Sequence, residues 1–263
     1  MADILQQIVA DKRIEVAEAK LRLPEDELRA MALDTPRSAR SMSAALATSA
    51  SGIIAEFKRK SPSKGWIHED ADPMLVIPDY RNGGASALSI LTDEKYFGGR
   101  LDFIRKIRPH VDIPILRKDF IIDPYQLLEA RLAGADAVLL IAACLTLEEC
   151  RDLAAQAHGL GLEVLLETHS EDEMPYAGLD VDMVGINNRN LGTFHTDIAN
   201  SFRLAETLKA NAAGKVLVSE SGISDPSKVR ELRNSGFRGF LMGENFMKHA
   251  DPGQALREFI AAI

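Results

Sequence analysis

From about residue 50 onward, short apolar runs alternate with stretches in which apolar residues recur at helical spacing. Positions such as Leu101, Ile104 and Ile107 repeat every three or four residues, which indicates amphipathic helices between the runs. The runs themselves are rich in residues that favour strands, and they occupy residues 52–57, 86–91, 113–117, 137–141, 163–167, 183–186, 216–219 and 239–242. The pattern therefore predicts eight strand–helix units.

Eight consecutive units of this kind favour an α/β fold, a (β/α)8 TIM barrel over residues 49–263. Each unit has about 27 residues, enough for a short strand, a helix of about three turns and two loops. The alternative is an open doubly wound sheet, which usually carries a glycine-rich turn after its first strand. Residues 57–62 (FKRKSP) contain no such turn, so the barrel is favoured.

Residues 1–48 lie outside this alternation. Ile4, Leu5 and Ile8 predict a first helix, and further apolar positions up to Leu33 predict others. We therefore expect a single domain, 1–263, in which an N-terminal helical extension of about 48 residues packs across one mouth of the barrel. The extension either only stabilises the barrel or also helps to close a site, and the sequence leaves both interpretations open.

Composition and charge exclude several classes of protein. Of the 263 residues, 46% are hydrophobic, and the net charge of −8 argues against a nucleic-acid partner or a basic membrane-binding surface. The longest uncharged run, residues 41–55, is 15 residues long, and the strongly apolar run 137–147 has 11, whereas a membrane span needs about 20. No signal peptide is apparent, and two cysteines make no disulfide framework. We expect a cytoplasmic protein that is a monomer, with a weak homodimer as the alternative.

Ionisable side chains stand where several predicted strands end, and the carboxyl ends of barrel strands carry the reactive groups of this fold. Glu56 and Lys58 share one face of the first strand, Lys118 ends the third, and Glu167 ends the fifth. Asn187 follows the sixth. Two lysines and two glutamates at one mouth can transfer protons, since neighbouring charges shift one another's pKa values. A purely structural ion network is the other interpretation.

A second group of residues favours phosphate binding. Ser221 and Gly222 follow the seventh strand, and Gly243 precedes a short helix after the eighth, where barrels usually bind phosphate. The histidines form no metal-ligand pattern, so we expect no metal. Trp66, Phe97 and Phe120 fall near strand ends, where aromatic rings can stack on a substrate ring.

With these motifs in order, the sequence resembles the indole-3-glycerol phosphate synthase family over essentially its whole length. The resemblance rests on residues 8–13 (IVADKR), 56–65 (EFKRKSPSKG), 91–99 (LTDEKYFGG), 117–120 (RKDF), 185–191 (GINNRNL) and 219–223 (SESGI). The family more often has a small residue at the position of Asn245 and an acidic residue near His195. Neither departure touches a proton-transfer candidate, although Asn245 bears on the phosphate contacts.

The resemblance implies an enzyme that closes the indole ring of 1-(2-carboxyphenylamino)-1-deoxyribulose 5-phosphate with loss of CO2 and water, without a cofactor. By analogy, Lys118 polarises the ketone, and Lys58 and Glu167 serve the later proton transfers. Glu56 orients Lys58, while Asn187 supplies a fixed donor. The resemblance further implies substrate contacts at Ser61, Lys64, Phe97, Phe120, Arg189 and Leu191, and phosphate contacts at Ser221, Gly222, Gly243 and Glu244, the last through its backbone.

Two other functions stay open at this point. A Schiff-base, aldolase-type barrel acting on a sugar phosphate would use Lys58 or Lys118 as an amine nucleophile. A catalytically silent barrel would serve as a binding subunit, but it is expected to have lost part of the ionisable set. His169, just beyond the fifth strand, is interpreted as a loop histidine with substrate contact as the alternative. Residues 61–65 are interpreted as a mobile lid.

Overall fold

The computed structural model describes residues 4–36, 40–190 and 195–263, and its centre is a closed barrel of eight parallel strands. The chain order of the strands is also their order around the barrel, and the ring closes where Ile53 pairs with Phe240. The barrel strands are β1 (Ile53–Phe57), β4 (Ala87–Leu91), β5 (Ile115–Lys118), β6 (Ala137–Ile141), β7 (Glu163–Thr168), β8 (Met183–Asn187), β9 (Val216–Glu220) and β10 (Gly239–Met242), and a small hairpin consists of β2 (Lys60–Ser61) and β3 (Gly65–Trp66). The predicted fold class is confirmed.

Helices connect the strands around the outside of the barrel. The α-helices are α1 (Ile4–Arg22), α2 (Glu25–Asp34), α3 (Met42–Thr48), α4 (Pro73–Asn82), α5 (Glu94–Phe97), α6 (Leu101–Ile107), α7 (Pro124–Ala133), α8 (Leu147–Gly159), α9 (Ala199–Asn211), α10 (Pro226–Asn234), α11 (Glu244–Met247) and α12 (Pro252–Ala261). Between β7 and β8 a 3₁₀ helix, Glu171–Gly178, replaces the expected α-helix. Pro175 inside it lacks a backbone N–H, which disfavours a regular α-helix there.

Two apolar layers stabilise the barrel, one between the strands and the helices and one in the barrel interior. Successive side chains of each strand point alternately into these two layers. In β1, Ile53, Ala55 and Phe57 pack in the layer between barrel and helices, whereas Ile54 packs in the barrel interior. Because successive side chains of a strand alternate, Glu56 lies on the same inward face as Ile54. The strand pattern therefore directs polar residues at the strand ends into the mouth of the barrel.

The N-terminal extension contacts both ends of the barrel, not one mouth as expected. Leu46 of α3 packs in the interior cluster and lies beside Gly239 at the start of β10, so α3 covers the amino ends of the strands. Leu5 and Ile8 of α1 line the cavity at the carboxyl ends. Within the described residues, no helix is long and apolar enough to span a membrane.

Candidate active site

A cavity of about 470 Å³ opens at the carboxyl ends of the strands. Its walls combine polar strand ends with apolar residues from α1 and from the loops. The predicted residues that line it are Glu56, Lys58, Ser61, Lys64, Phe97, Lys118, Phe120, Glu167, Asn187, Arg189, Ser221, Gly222, Gly243 and Glu244. Leu191 lies outside the described residues. Chain segments far apart in sequence thus meet in one pocket.

The ammonium group of Lys118 lies among carboxylates at the bottom of the cavity. Its Nζ donates to Glu167 Oε2 at 2.8 Å and is 3.4 Å from Glu220 Oε2. Burial alone would lower the pKa of Lys118, but the charges of Glu167 and Glu220 outweigh burial and raise it. Lys118 is therefore a charged hydrogen-bond donor that is held in place by its partners.

The carboxylate of Glu167 has three polar neighbours. Besides Lys118, Asn187 Nδ2 donates to its Oε1 at 3.1 Å, and the His169 Nε2 lies 3.1 Å from the same oxygen. Burial alone would raise the pKa of Glu167, but the positive charge of Lys118 and the interactions with His169 hold it well below its usual range. Glu167 is thus an ionised, oriented carboxylate.

His169 is more than a histidine of an open loop. Its backbone N–H and Nδ1 face Glu173 Oε2, at 2.7 and 3.3 Å, while its other nitrogen faces Glu167. Burial alone would lower the pKa of His169, but its interactions with Glu167 and Glu173 raise it to about 10. A charged imidazolium therefore stands behind Glu167, and it keeps that carboxylate ionised.

Glu220, the last residue of β9, belongs to the same cluster and was not chosen from the sequence. Lys118 is its ion-pair neighbour at 3.4 Å, but within the described residues neither of its carboxylate oxygens has a hydrogen-bond partner. Burial, together with the negative charges of Glu167 and Glu56, raises the pKa of Glu220 to about 8 against the opposing effect of Lys118. The sequence signal was its position directly after the predicted strand 216–219. The structure adds its register with Asn187 in β8, which brings it to the same level of the barrel.

A second ion pair lies near the first. Lys58 Nζ is 2.7 Å from Glu56 Oε1, and the Lys58 side chain is 14% exposed, so it reaches the cavity from its wall. Gly243 leaves room for this pair, because a Cβ at that position would lie 2.5 Å from Glu56 Oε1. The absence of a side chain at Gly243 is therefore a packing requirement of the site.

The mouth of the cavity is lined by aromatic rings on one side. Phe97 of α5 and Phe120 after β5 lie with ring centroids 6.0 Å apart and planes tilted by 37°. Trp66 takes no part in the lining; it is 45% exposed and packs against Arg59 and Lys60. The expectation of three stacking rings is thus reduced to two.

On the opposite side, loops form a charged rim. The Glu244 carboxylate accepts from Lys64 Nζ and from Arg189, the latter at 3.2 Å. Burial alone would raise the pKa of Glu244, but Lys64 and Arg189 lower it. Glu244 was expected to act through its backbone, and the structure also gives its side chain a role as the acceptor that joins two loops.

The residues expected to bind phosphate lie together at this rim. Ser221 and Gly222 are consecutive residues in the left-handed region, with φ of 67° and 76°. The Ser221 N–H donates to Leu241 O at 3.4 Å, and glycine at the second position lets the backbone approach a ligand closely. Gly243 directly precedes the short helix α11, as predicted. Among the described residues, no group of three or more potential metal ligands comes together.

A family model for indole-3-glycerol phosphate synthase matches residues 5–259 of the chain. A relative of that name from Bacteroides thetaiotaomicron is 61% identical over 263 residues, which is 100% of both chains. Another of that name, from Azoarcus sp. strain BH72, is 45% identical over 261 residues and covers 98% of both chains.

Solved structures with the same barrel include two of tryptophan synthase from Pyrococcus furiosus. One is a mutant alpha-subunit with a TM-score of 0.61 and 14% identity, and the alignment covers 81% of this chain and 97% of that one. The other, a structure of the tryptophan synthase complex, has a TM-score of 0.60, the same identity and the same coverage. At this identity the likeness shows the fold alone.

Proposed function

The chain belongs to the indole-3-glycerol phosphate synthase family and is thus an enzyme of tryptophan biosynthesis, and we propose that the residues of the barrel mouth perform the ring closure as follows. The substrate, 1-(2-carboxyphenylamino)-1-deoxyribulose 5-phosphate, forms a bond from the ring carbon that bears its carboxylate to the ketone carbon. The carboxylate leaves as CO2, the former ketone oxygen leaves as water, and loss of a proton completes the indole. The site must therefore polarise a ketone, expel a hydroxyl group and remove a proton.

Lys118 polarises the ketone in this proposal. The observation that carries the assignment is its hydrogen bond to Glu167 at 2.8 Å deep in the cavity, which fixes the direction of the ammonium group. A positive charge held in place before the reaction stabilises the alkoxide that develops on the ketone oxygen. General acids of this kind contribute about 10²–10⁴-fold to the rate.

Lys58 and Glu167 serve dehydration and aromatisation. Lys58 approaches from the wall of the cavity, paired to Glu56 at 2.7 Å, so it can hold the substrate carboxylate and then protonate the departing hydroxyl. The low pKa of Glu167 makes it an ionised base at neutral pH. Phe97 and Phe120 stack on the aromatic ring of the substrate.

The phosphate is assigned to the rim formed by Ser221, Gly222 and Gly243. Backbone N–H groups supply the donors there, and Lys64 of the β2–β3 hairpin adds a positive charge from the lid. Arg189 faces the same rim. Binding of this kind predicts that simple phosphate monoesters compete with the substrate at millimolar concentration.

The raised pKa of Lys118 argues against Schiff-base chemistry at this residue. An amine nucleophile must be neutral, and enzymes that use lysine in this way lower its pKa. Here Glu167 and Glu220 do the opposite. Borohydride in the presence of a ketose phosphate should therefore not label Lys118.

The test of the proposal is incubation with the carboxyphenylamino-deoxyribulose phosphate while indole fluorescence and released CO2 are measured. Wild-type protein should give both products in equal amounts. Lys118→Ala should give neither, whereas Lys228→Ala, which removes a surface lysine paired to Glu231, should behave as wild type. Turnover by Lys118→Ala at the wild-type rate would refute the assignment.

We also propose that the enzyme is a cytoplasmic monomer that binds no nucleic acid. Neither Cys144 nor Cys150 forms a disulfide, as in a reducing compartment, and the net charge is −8. Light scattering at micromolar concentration tests the oligomeric state. A mass near twice 28.8 kDa would favour the homodimer instead.

A further inference from the structure

The extension contains a lysine where its buried face would otherwise be apolar. Lys12 lies four residues after Ile8 and four before Val16, and the side chains of all three are turned to the barrel side of α1. Lys12 is 1% exposed. Lysine is almost never buried to this degree unless it is paired, because its ammonium loses its hydration.

The partners of Lys12 lie in two different loops at the barrel mouth. Its Nζ is 3.0 Å from Asp93 Oδ2, after β4, and 3.0 Å from Asp119 Oδ1, after β5. Glu15 of the same helix adds a third contact at 2.8 Å. Burial alone would lower the pKa of Lys12, but the charges of Asp119 and Asp93 outweigh it and raise it, so the ammonium stays charged.

Asp119 connects this ammonium to the catalytic strand end. It directly follows Lys118, its Oδ1 accepts the backbone N–H of Phe120 at 2.8 Å, and its Oδ2 accepts the Thr92 hydroxyl at 2.6 Å. Lys12 therefore holds Asp119, which lies between Lys118, the proposed acid, and Phe120, one of the two stacking rings.

Asp93 connects the same ammonium to the other ring. Its Oδ1 accepts from the Tyr96 backbone N–H at 2.8 Å and caps the N-terminus of α5, the single turn that carries Phe97. With one oxygen on the helix and the other on Lys12, Asp93 fixes where α5 begins.

We propose that Lys12 is a positioning residue: from the N-terminal extension it fixes the loops after β4 and β5, and thereby sets Lys118, Phe97 and Phe120 relative to the substrate. The kinetic part of this inference rests on the proposed function. A catalytic group must be held within a fraction of an ångström of its working position, and no ion pair within the barrel itself joins these two aspartates in the described structure. The extension is then part of the active site as well as a stabilising element.

The same helix supplies a matched control. Lys20 of α1 also bridges to the barrel, with its Nζ 2.8 Å from Asp123, but its side chain is 36% exposed and Asp123 caps α7 on the outer side. Lys12→Met and Lys20→Met therefore each remove one link between helix and barrel. The Lys20 link reaches the far end of the loop after β5, at the start of α7, whereas the Lys12 link reaches Asp93 and Asp119 beside the strand ends.

Steady-state kinetics and thermal unfolding of both variants test the proposal. We expect Lys12→Met to lower kcat/KM about tenfold or more, with a lower kcat and a higher KM, at temperatures where it is fully folded. Lys20→Met should stay within about twofold of wild type. If Lys12→Met melts earlier but keeps kcat/KM within about twofold, Lys12 is only structural and the inference is overturned.

Asp93→Asn provides a second test of the inference if Lys12→Met does not fold. The asparagine oxygen still caps α5, but its amide NH2 group then faces the ammonium of Lys12 and repels it. A rise in KM of about threefold or more is expected. An unchanged KM and kcat in this variant would overturn the inference.

A readout without substrate separates this inference from the proposed function. Trp66, the single tryptophan, packs against Gly98 at the C-terminal end of α5, and its emission reports on that helix. Lys12→Met should shift the emission maximum, and Lys20→Met should not. If wild type makes no indole product, the proposed function fails, but a shift of the Trp66 emission in Lys12→Met still supports the positioning role of Lys12. Identical emission maxima in Lys12→Met and Lys20→Met would contradict that positioning role.

Discussion

Replacing Lys118 by methionine should make the stability of the protein fall more steeply with rising pH than that of the wild type. The substitution keeps the length of the side chain but removes the charge that Glu167 and Glu220 share, at 2.8 and 3.4 Å. Glu167 then keeps only the imidazolium of His169 as a positively charged partner, and it faces the buried side chain of Glu220. Removing one partner of a buried ion pair typically costs about 3–5 kcal/mol.

The variant can reduce this cost by taking up a proton. Neutralising Glu167, whose ordinary pKa is 4.5, costs about 1.36 kcal/mol for each pH unit above that value. The loss of unfolding free energy is therefore limited to about 0.7 kcal/mol at about pH 5 and to about 3.4 kcal/mol at about pH 7. The folded variant binds more protons than the unfolded chain in this window, so its stability falls as pH rises.

Urea unfolding of Lys118→Met and wild type at several pH values between about 5 and 8 measures the difference, and turnover is followed in the same buffers. We expect the stability gap to widen with pH and kcat to fall by about 10²–10⁴-fold. A gap of equal size throughout this range, or turnover within about tenfold of wild type, would refute the reasoning about the shared charge. Lys228→Met serves as the surface control.

Three further substitutions test other parts of the protein. Glu220, with its pKa raised to about 8, is neutral below that pH, so the kcat/KM of the wild type should fall as pH rises through about 8. The pH–rate profile of Glu220→Gln should lack this decrease at alkaline pH. Gly243→Ala places a Cβ 2.5 Å from Glu56 Oε1 and should lower kcat/KM about tenfold or more, while Gly159→Ala, which meets no atom within 4 Å, should leave the kinetics unchanged. Glu163 accepts two backbone and two hydroxyl hydrogen bonds at the start of α3, so Glu163→Ala should cost about 1–3 kcal/mol in urea unfolding without a change in KM.

Much of the barrel could be predicted from the sequence because each strand carries its own apolar pattern. The main boundary error, a predicted start at Ile113 where β5 begins at Ile115, has a local cause. Pro114 lacks a backbone N–H and cannot donate to a neighbouring strand. At the other end, β5 and β8 each extend one residue beyond the predicted run, to Lys118 and Asn187, whose backbones pair with Leu91 and Glu220.

The roles of some site residues could not be predicted, because they depend on contacts between side chains that are far apart in the sequence. Glu220 stood at a recognised strand end, but its burial against Glu167 follows from the register of a closed barrel. His169 gains its charge from Glu173 and Glu167, which a reading of isolated motifs does not combine. Lys12 interrupts an apolar stripe of α1, a visible signal, although only the fold identifies its two aspartate partners.

The protonation of Glu220 decides the charge that the substrate meets. The inner cavity holds the carboxylates of Glu56, Glu167 and Glu220 against the ammonium groups of Lys58 and Lys118 and the imidazolium of His169. If Glu220 is ionised these charges cancel; since its pKa is raised to about 8, it is neutral at pH 7 and the cluster has one positive charge in excess. A substrate with a carboxylate and a phosphate approaches a chain of net charge −8, so a local positive charge is needed to hold it. The cluster supplies that charge while keeping Glu167 ionised as a base, which a site built from lysines alone would not do.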